Sequence, residues 1–114
     1  MRNFIEDLAY VIGNTNISGK TPLQMPLTYS KAFGETSVRE IDLSERSKNS
    51  LGRANIHTMN DLMNKFDTVA KIRNCGTKSA KEIKTGFLQR WYETLDDKQF
   101  VDFWEEFIII NSHG

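Results

Sequence analysis

The sequence has few of the residues that build covalent or metal-based scaffolds. Its single cysteine, Cys75, has no partner for an internal disulfide, and two scattered histidines cannot complete a structural zinc site with it. Only two prolines and an ordinary hydrophobic share of 39% argue against a disordered or fibrous protein. We therefore expect a folded protein that depends on its apolar core, with Cys75 as a small buried residue.

Long apolar stretches are also missing. The sequence contains no run of about 18 apolar residues, which excludes a spanning helix. Glu6 and Asp7 interrupt the stretch that a secretory signal would need, so export is not expected and the cytoplasm is the expected location. A length of 114 residues suffices for one domain but not for two independent ones.

An excess of either charge sign is absent from the sequence as a whole, but the charges are segregated. Residues 46–90 contain ten basic and three acidic residues, a net charge of +7, and the remaining residues carry −7. Such a basic segment is typical of a nucleic-acid-binding surface. A solvated face of mixed lysines is the alternative interpretation of the charges taken alone.

The apolar periodicity predicts an all-α fold, a compact helical bundle with extra N- and C-terminal helices. In the first half of the sequence we expect a helix from Phe4 to Ile12, ended by Gly13-Asn14, and an irregular connection over 13–36 with a strand-like stretch at 27–29. Asp42 and Glu45 form a plausible capping pair for a helix that reaches about Ala54.

In the second half, Thr58 and Asp61 form another capping pair, for a short helix to Phe66, and one more helical turn follows at 69–72. A long helix is predicted from Thr77 to Leu95, and a last one after Asp96, with an apolar side formed by Phe100, Phe103, Trp104, Phe107 and Ile108. We expect one domain made of an N-terminal helix and connection (1–36), a core (37–95) and a capping helix (96–114).

The stretch from Lys71 to Ile83 predicts a hairpin that grips phosphate. After the break at Asn74-Cys75-Gly76, the glycine can take a positive φ and lets a DNA backbone approach closely. The first-turn N–H groups and the dipole of the following helix favour an anion, and Lys78 and Ser79 add charged and neutral donors. A nucleotide-binding Walker loop is not predicted, because its other glycine and the preceding strand are missing.

A second polar feature lies on the helix before the hairpin. Arg46, Asn49 and Arg53 stand at i, i+3 and i+7, on the face opposite Leu43, Ser47 and Leu51. The sequence therefore predicts a basic, amide-bearing stripe along one side of this helix.

Residues Ile41 to about Phe87 resemble the C-terminal domain of the bacterial RNA polymerase alpha subunit. The resemblance rests on Leu43, Arg46-Ser47-x-Asn49-x-Leu51, Ile56-His57-Thr58 with Asp61-Leu62, and Asn74-x-Gly76-x-Lys78-Ser79-x-x-Glu82-Ile83. It implies a helix-hairpin-helix, SAM-like core that binds the minor groove of A·T-rich double-stranded DNA, with RNA polymerase, sigma factor or an activator as further partners.

The resemblance also implies a set of site residues. Arg46 would enter the minor groove, and Glu82 would support the arrangement. The backbone or the groove would be held by Asn49, Gly76, Lys78 and Ser79. The expected DNA-binding residues are Arg46, Asn49, Ser50, Arg53, Gly76, Lys78, Ser79 and Glu82.

This sequence departs from the family pattern in three places. Ser50 stands where many members have cysteine, Glu45 replaces an apolar residue beside Arg46, and the connection from Asp61 to Gly76 is shorter by one residue. The Glu45 carboxylate would repel phosphate, so we expect a lower affinity than in the family. The assembly and dimerisation domain of the polymerase subunit is also missing, so we expect a free-standing copy of the module.

The other ionisable residues favour structural roles. His57 is expected to be a hydrogen-bonding residue at a helix boundary rather than a catalytic base. A solvated helix face, rather than a metal or hydrolase site, is expected from Glu93, Asp96, Asp97, Asp102, Glu105 and Glu106. We therefore expect neither an enzyme nor a cofactor. The alternative function is a protein-interaction domain on the same scaffold that has lost DNA binding and uses its acidic, aromatic C-terminal helices.

Overall fold

The computed structural model describes residues 2–15, 17, 23–72 and 75–112, and its regular elements are helices. They are α1 (Phe4–Gly13), α2 (Lys31–Gly34), a first 3₁₀ turn (Val38–Glu40), α3 (Glu45–Arg53), α4 (Met59–Asn64), a second 3₁₀ turn (Phe66–Lys71), α5 (Thr77–Glu93) and α6 (Asp97–Asn111). The predicted all-α fold is confirmed. Within these ranges, no helix has the length and apolar character needed to cross a membrane.

The protein divides into two units. Unit 1 comprises residues 1–28 and 92–114, unit 2 comprises residues 29–91, and the division falls inside α5. The single domain with boundaries at 36 and 95 stays a prediction.

Unit 1 is built around aromatic rings. The ring of Phe4 on α1 lies edge-on to Tyr92 at 5.3 Å and stacks on Trp104 of α6 at 5.9 Å, measured between ring centroids. The Tyr92 hydroxyl donates to Asp7 Oδ2 at 2.5 Å and accepts from Trp104 Nε1 at 2.9 Å. These hydrogen bonds satisfy the polar atoms that the buried rings carry with them. Burial of Tyr92, followed by the hydrogen bond of its hydroxyl to the Asp7 carboxylate, raises the pKa of Tyr92 far above its ordinary value.

Helix α6 begins as the sequence predicts. The Asp96 carboxylate accepts from the backbone N–H of Gln99, whose side chain accepts from the Asp96 N–H, which completes a capping box. At its other end, Asn111 pairs with the backbone of Gln24 through two hydrogen bonds of 2.8 and 2.9 Å. Phe103, Trp104 and Phe107 are buried, as predicted, whereas Phe100 is half-buried and lies 4.4 Å from the Arg2 guanidinium.

Unit 2 is a helical core with caps at the starts of its helices. The capping box of Thr58 and Asp61 is confirmed, and the N–H groups of His57 and Thr58 lower the pKa of the Asp61 carboxyl. The one further helical turn is also confirmed, as the second 3₁₀ turn. The buried apolar residues of unit 2 are Phe33, Val38, Ile41, Leu43, Leu51, Ile56, Met59, Leu62, Val69, Cys75, Ala80, Ile83, Phe87 and Trp91.

Three sequence predictions about the region before α4 are wrong. Residues 27–29 have no regular structure, so no strand-like stretch forms. The expected irregular connection contains α2, a single turn capped by the Ser30 side chain, which buries Phe33. The cap of α3 is Ser44 rather than Asp42, because the backbone stays extended through Ser44, whose side chain accepts from the N–H of Ser47. This extended approach lets Leu43 enter the core.

Helix α3 is followed by a residue in the left-handed backbone conformation. Asn55 has φ 58°, its N–H donates to Gly52 O at 3.1 Å, and the N–H of Ile56 donates to Leu51 O at 2.9 Å. This pattern is a Schellman motif, in which asparagine takes the position that glycine usually holds. Ile56 therefore turns back onto Leu51, and both side chains are buried.

Helix α5 packs tightly against the segment before α3. A Cβ atom on Gly86 would lie 2.5 Å from Ile41 Cγ2 and 3.3 Å from Leu43 Cδ2. No side chain larger than hydrogen fits there without a shift. The glycine therefore sets the distance between α5 and the segment that leads into α3.

Candidate nucleic-acid interface

Helix α3 presents the predicted polar stripe to solvent. Arg46, Asn49 and Arg53 are all exposed on its solvent side, whereas Ser47 and Ser50 are buried. Ser50 lies beneath the surface and donates its hydroxyl hydrogen to the Arg46 carbonyl oxygen at 3.0 Å. It can thus support the backbone that carries Arg46, rather than present its own hydroxyl to a ligand.

The start of α3 is tied to α5 by a carboxylate. In a capping box, the third helical residue accepts from the N–H of the cap residue, but in α3 this position holds Ser47. Glu82 of α5 takes over the role: its Oε1 accepts from Ser44 N at 2.8 Å. This hydrogen bond, followed by those from the Ser47 and Ser44 hydroxyls, lowers the pKa of Glu82. One helix therefore completes the cap of the other.

The hairpin before α5 is formed by the second 3₁₀ turn and the first turn of the helix. Cys75 N donates to Ile72 O at 3.0 Å, and Ala80 N donates to Gly76 O at 3.0 Å, which begins the α5 hydrogen-bond ladder. Asn74, predicted as part of the break, and Arg73 lie outside the described residues. The N–H groups that precede the ladder have no acceptor within the helix and are available to an anion.

Gly76 does not use the positive φ that a glycine can adopt, and none of the described glycines has one. Gly76 continues into α5 with ordinary backbone geometry, and a Cβ atom there would meet no atom within 4 Å. What the glycine contributes is open space in front of the hairpin, which any ligand could approach closely.

One open pocket joins the two polar features. Its volume is about 420 Å³, and it is lined by Ser44, Arg46, Gly76, Thr77, Lys78, Ser79 and Glu82. Five of the eight expected site residues thus share one concavity, with Lys78 exposed and Ser79 buried. Asn49 and Arg53 lie outside it, on the solvent side of α3, and Ser50 lies below. An arginine, a lysine and a helix N-terminus around one hollow are suited to phosphate and groove contacts.

Cys75 lies behind this pocket as a buried residue, as predicted. Burial raises the pKa of its thiol, an effect that the nearby Arg46 guanidinium opposes. A thiol with a raised pKa is a poor nucleophile at neutral pH. Cys75 therefore acts as a packing residue.

His57 and the acidic residues of the C-terminal region lie where the sequence predicts them. His57 precedes α4, where its N–H donates to Asp61 Oδ2 at 3.0 Å. The six acidic residues of the predicted solvated face, from Glu93 to Glu106, are all exposed. Across the described ranges, no group of histidine, cysteine, aspartate and glutamate side chains could hold a metal ion.

Comparison with known proteins gives a family for this arrangement. The family model for the C-terminal domain of the bacterial RNA polymerase alpha subunit matches residues 28–88, just over half of the sequence. The protein belongs to this family. The matched range nearly coincides with unit 2, and DNA binding is typical of the family.

Two relatives extend the comparison with this alpha-subunit family. The DNA-directed RNA polymerase subunit alpha of Symbiobacterium thermophilum is 48% identical over 52 residues, which cover 45% of this chain and 16% of the relative. The corresponding subunit of Bacillus velezensis is 47% identical over 51 residues, which cover 44% of this chain and 16% of the relative. The match thus spans only a small part of either subunit. No solved structure matches this protein.

Two pocket residues were missed by sequence reasoning about the alpha-subunit motif. Ser44 carried a local signal, since serine is among the residues preferred at a helix N-cap. Thr77 lies between the two hairpin residues that were singled out. The family motif contains residues expected to contact DNA, but it contains neither of these two residues, which line the pocket between them.

Proposed function

We propose that the protein binds double-stranded DNA through this pocket, with a preference for the A·T-rich minor groove, in a transcription-related role and without enzymatic activity. The observation that supports this most is the shared pocket, in which Arg46 of α3 faces the same hollow as the hairpin residues Gly76, Lys78 and Ser79. Membership of the alpha-subunit family supports DNA binding in general. RNA polymerase, sigma factor or an activator are the proposed protein partners, and the cytoplasm the proposed location.

The groove preference follows from what one arginine can sense. The minor groove has a degenerate pattern of donors and acceptors, so Arg46 cannot read a sequence there. It can sense groove width, because A-tracts have a narrow groove with a deeper negative potential. A phosphate held by Lys78 and the α5 N-terminus would fix the depth to which the guanidinium reaches.

Replacement of Arg46 tests the proposal. Arg46→Ala should weaken binding to an A-tract duplex by about 1–3 kcal/mol and leave binding to a G·C-rich duplex nearly unchanged. Arg46→Lys should restore only part of the loss, since an ammonium is more strongly hydrated and costs more to strip in a narrow groove. Competition between the two duplexes, with and without a ligand that fills the minor groove, measures the preference.

Arg39→Ala is the matched control, because it removes the same charge from an exposed residue outside the pocket. It should leave the A-tract preference intact. Equal discrimination by the parent and Arg46→Ala would contradict the proposed placement of Arg46.

A protein-interaction domain without DNA binding is the second candidate. It is favoured by Glu45, an exposed carboxylate directly beside Arg46 at the start of α3. A parent protein that shows no salt-dependent affinity for any duplex would support this candidate over the first.

A further inference from the structure

A second, smaller pocket lies on unit 2 among the first 3₁₀ turn, α3 and the turn that follows α3. Its volume is about 110 Å³, and its floor consists of Val38, Leu51 and Ile56. All three floor residues are nearly inaccessible to solvent, at 6%, 1% and 1% exposure. The hollow is thus an opening onto the apolar core.

The walls of this pocket are held by backbone hydrogen bonds. Val38 N donates to His57 O at 3.0 Å, and Met59 N donates to Thr36 O at 2.9 Å, on either side of the bridge between Ser37 and Thr58. The Schellman motif at the end of α3 fixes the backbone at Ile56, whose side chain forms part of the floor. An occupant would therefore meet a preformed hollow, which reduces the entropic cost of binding.

The rim of the pocket carries basic side chains. Arg39 and His57 are exposed, and the Lys48 side chain is 35% exposed. Lys48 Nζ lies 4.0 Å from Glu45 Oε1, but Glu45 is 86% exposed, and a pair so open to water is weak. A group with an apolar body and negatively charged flanks would complement both floor and rim.

The size of the pocket restricts the occupant. Small-molecule sites usually measure about 300–1,000 Å³, so this pocket is too small for most free ligands but large enough for one apolar side chain. The outer surface of a DNA duplex presents phosphates and sugars rather than such an anchor. We propose that the pocket docks an acidic segment of a partner protein, with one apolar side chain on the floor and flanking carboxylates against Arg39 and Lys48.

This docking site is separate from the proposed DNA-binding surface. Successive α-helical residues are about 100° apart, so Lys48 lies about 200° around α3 from Arg46. Gly52 follows one turn after Lys48 and also lines the small pocket, whereas no residue lines both pockets. The partner and a duplex should therefore bind the protein at the same time.

Gly52 offers a way to block the pocket without disturbing the fold. A Cβ atom there would meet no atom within 4 Å, so Gly52→Leu adds its side chain beside the pocket without a clash at Cβ. The probes are short peptides with a central leucine, isoleucine, methionine or phenylalanine flanked by aspartates and glutamates. Amide shifts of the full-length protein, followed by NMR, report where each peptide binds.

We expect saturable shifts at the pocket amides with at least one peptide of the set. Replacing its central residue by serine should weaken binding about tenfold or more, because the buried apolar area is lost. Gly52→Leu should abolish binding, Lys48→Gln should weaken it about threefold, and the control Lys65→Glu should leave it nearly unchanged. Gly52→Leu should not change the affinity for duplex DNA.

Three outcomes would overturn the proposal. They are the absence of shifts at the pocket with every peptide, equal binding by the serine peptide, and displacement of a bound peptide by duplex DNA. The last would show that the pocket belongs to a nucleic-acid surface. Weaker binding of A-tract DNA by Arg46→Ala, with peptide binding intact, would separate this inference from the proposed function.

Discussion

The two units of the protein differ most in their net charge and in the share of their core that aromatic rings supply. Unit 1 contains three basic and eight acidic residues, and its core is a set of stacked and edge-on aromatic rings. Unit 2 contains twelve basic and seven acidic residues. Its helices begin at side-chain caps, and Gly86 allows α5 to pack closely against the segment before α3. The family match covers mainly unit 2. The basic residues are thus concentrated in the unit that the family match covers, and the acidic residues outnumber them in the unit whose core is mainly aromatic.

The largest effect on stability is expected from removing an aromatic ring from unit 1. Phe4 is fully buried and contacts three other rings, so Phe4→Ala should lower the free energy of unfolding by about 3–5 kcal/mol. Denaturant unfolding measures the loss, and hydrogen exchange should place it mainly in unit 1. Ile5→Ala is the control, since Ile5 is 47% exposed and its truncation should cost little. Similar losses for both variants would mean that ring packing does not stabilise unit 1.

Unit 2 should respond most to a change in the spacing of its helices. Gly86→Ala places a methyl group against Ile41 and Leu43 and should destabilise the protein by about 1–3 kcal/mol, although alanine favours helices. Gly52→Ala, at an open helical position, should instead stabilise it by about 0.5–1 kcal/mol. Thermal melts of both variants measure the contrast. Stabilisation by both would show that α5 can move away from the segment before α3.

The shared cap of α3 predicts a dependence on pH. The pKa of Glu82 is lowered from its ordinary value of 4.5, so its ionised form stabilises the fold. This contribution is present above pH 4.5 and is lost as the pH falls through the lowered pKa. Glu82→Gln should therefore be less stable than the parent near neutral pH, and the difference should shrink on acidification. Unfolding measured across this range checks the sign. Glu45→Gln should show no comparable change, and a gap between Glu82→Gln and the parent that widens in acid would refute the shared cap.

The smallest expected effect sharpens the charge difference between the units. Lys78→Ala removes an exposed cation from the hairpin and should lower the slope of log affinity for DNA against log salt by about one unit, equally for all sequences. Lys98→Ala, on acidic unit 1, should leave the slope unchanged. Glu45→Val should strengthen binding slightly, because a carboxylate beside Arg46 is lost. Affinity of the parent that does not depend on salt would rule out the phosphate contact.

Local patterns predicted most helices, and the cap of α3 shows where a contact between distant residues limits such a prediction. Thr58 with Asp61, and Asp96 with Gln99, each form a complete cap within four residues, so the sequence predicts them correctly. The cap of α3 was assigned to Asp42 because Asp42 and Glu45 match the local capping pattern, whereas the acceptor for the N–H of Ser44 is Glu82, 38 residues away.

Most residues that line the candidate site could be predicted from the sequence, but Ser44, Thr77 and the geometry of the pocket could not. The polar stripe and the hairpin could be identified separately, and the family resemblance connected them. Their meeting in one pocket depends on the contact between Ser44 and Glu82, and the fate of Ser50 depends on which side of α3 the core covers. The small pocket near Gly52 was not predicted at all, since it arises from a turn, a bridge and a helix end.

Because Glu82 of α5 completes the cap of α3, the hairpin and the helix that carries Arg46 would have to be transferred to another protein together. A designer who grafts residues 75–83 onto another scaffold would leave Glu82 without the N–H of Ser44 and would lose the alignment with Arg46. The smallest piece worth transplanting runs from Ser44 through α5. By the same reasoning, a glutamate or glutamine at position 47, the third residue of α3, should offset the loss of Glu82, because it can accept from the same Ser44 N–H.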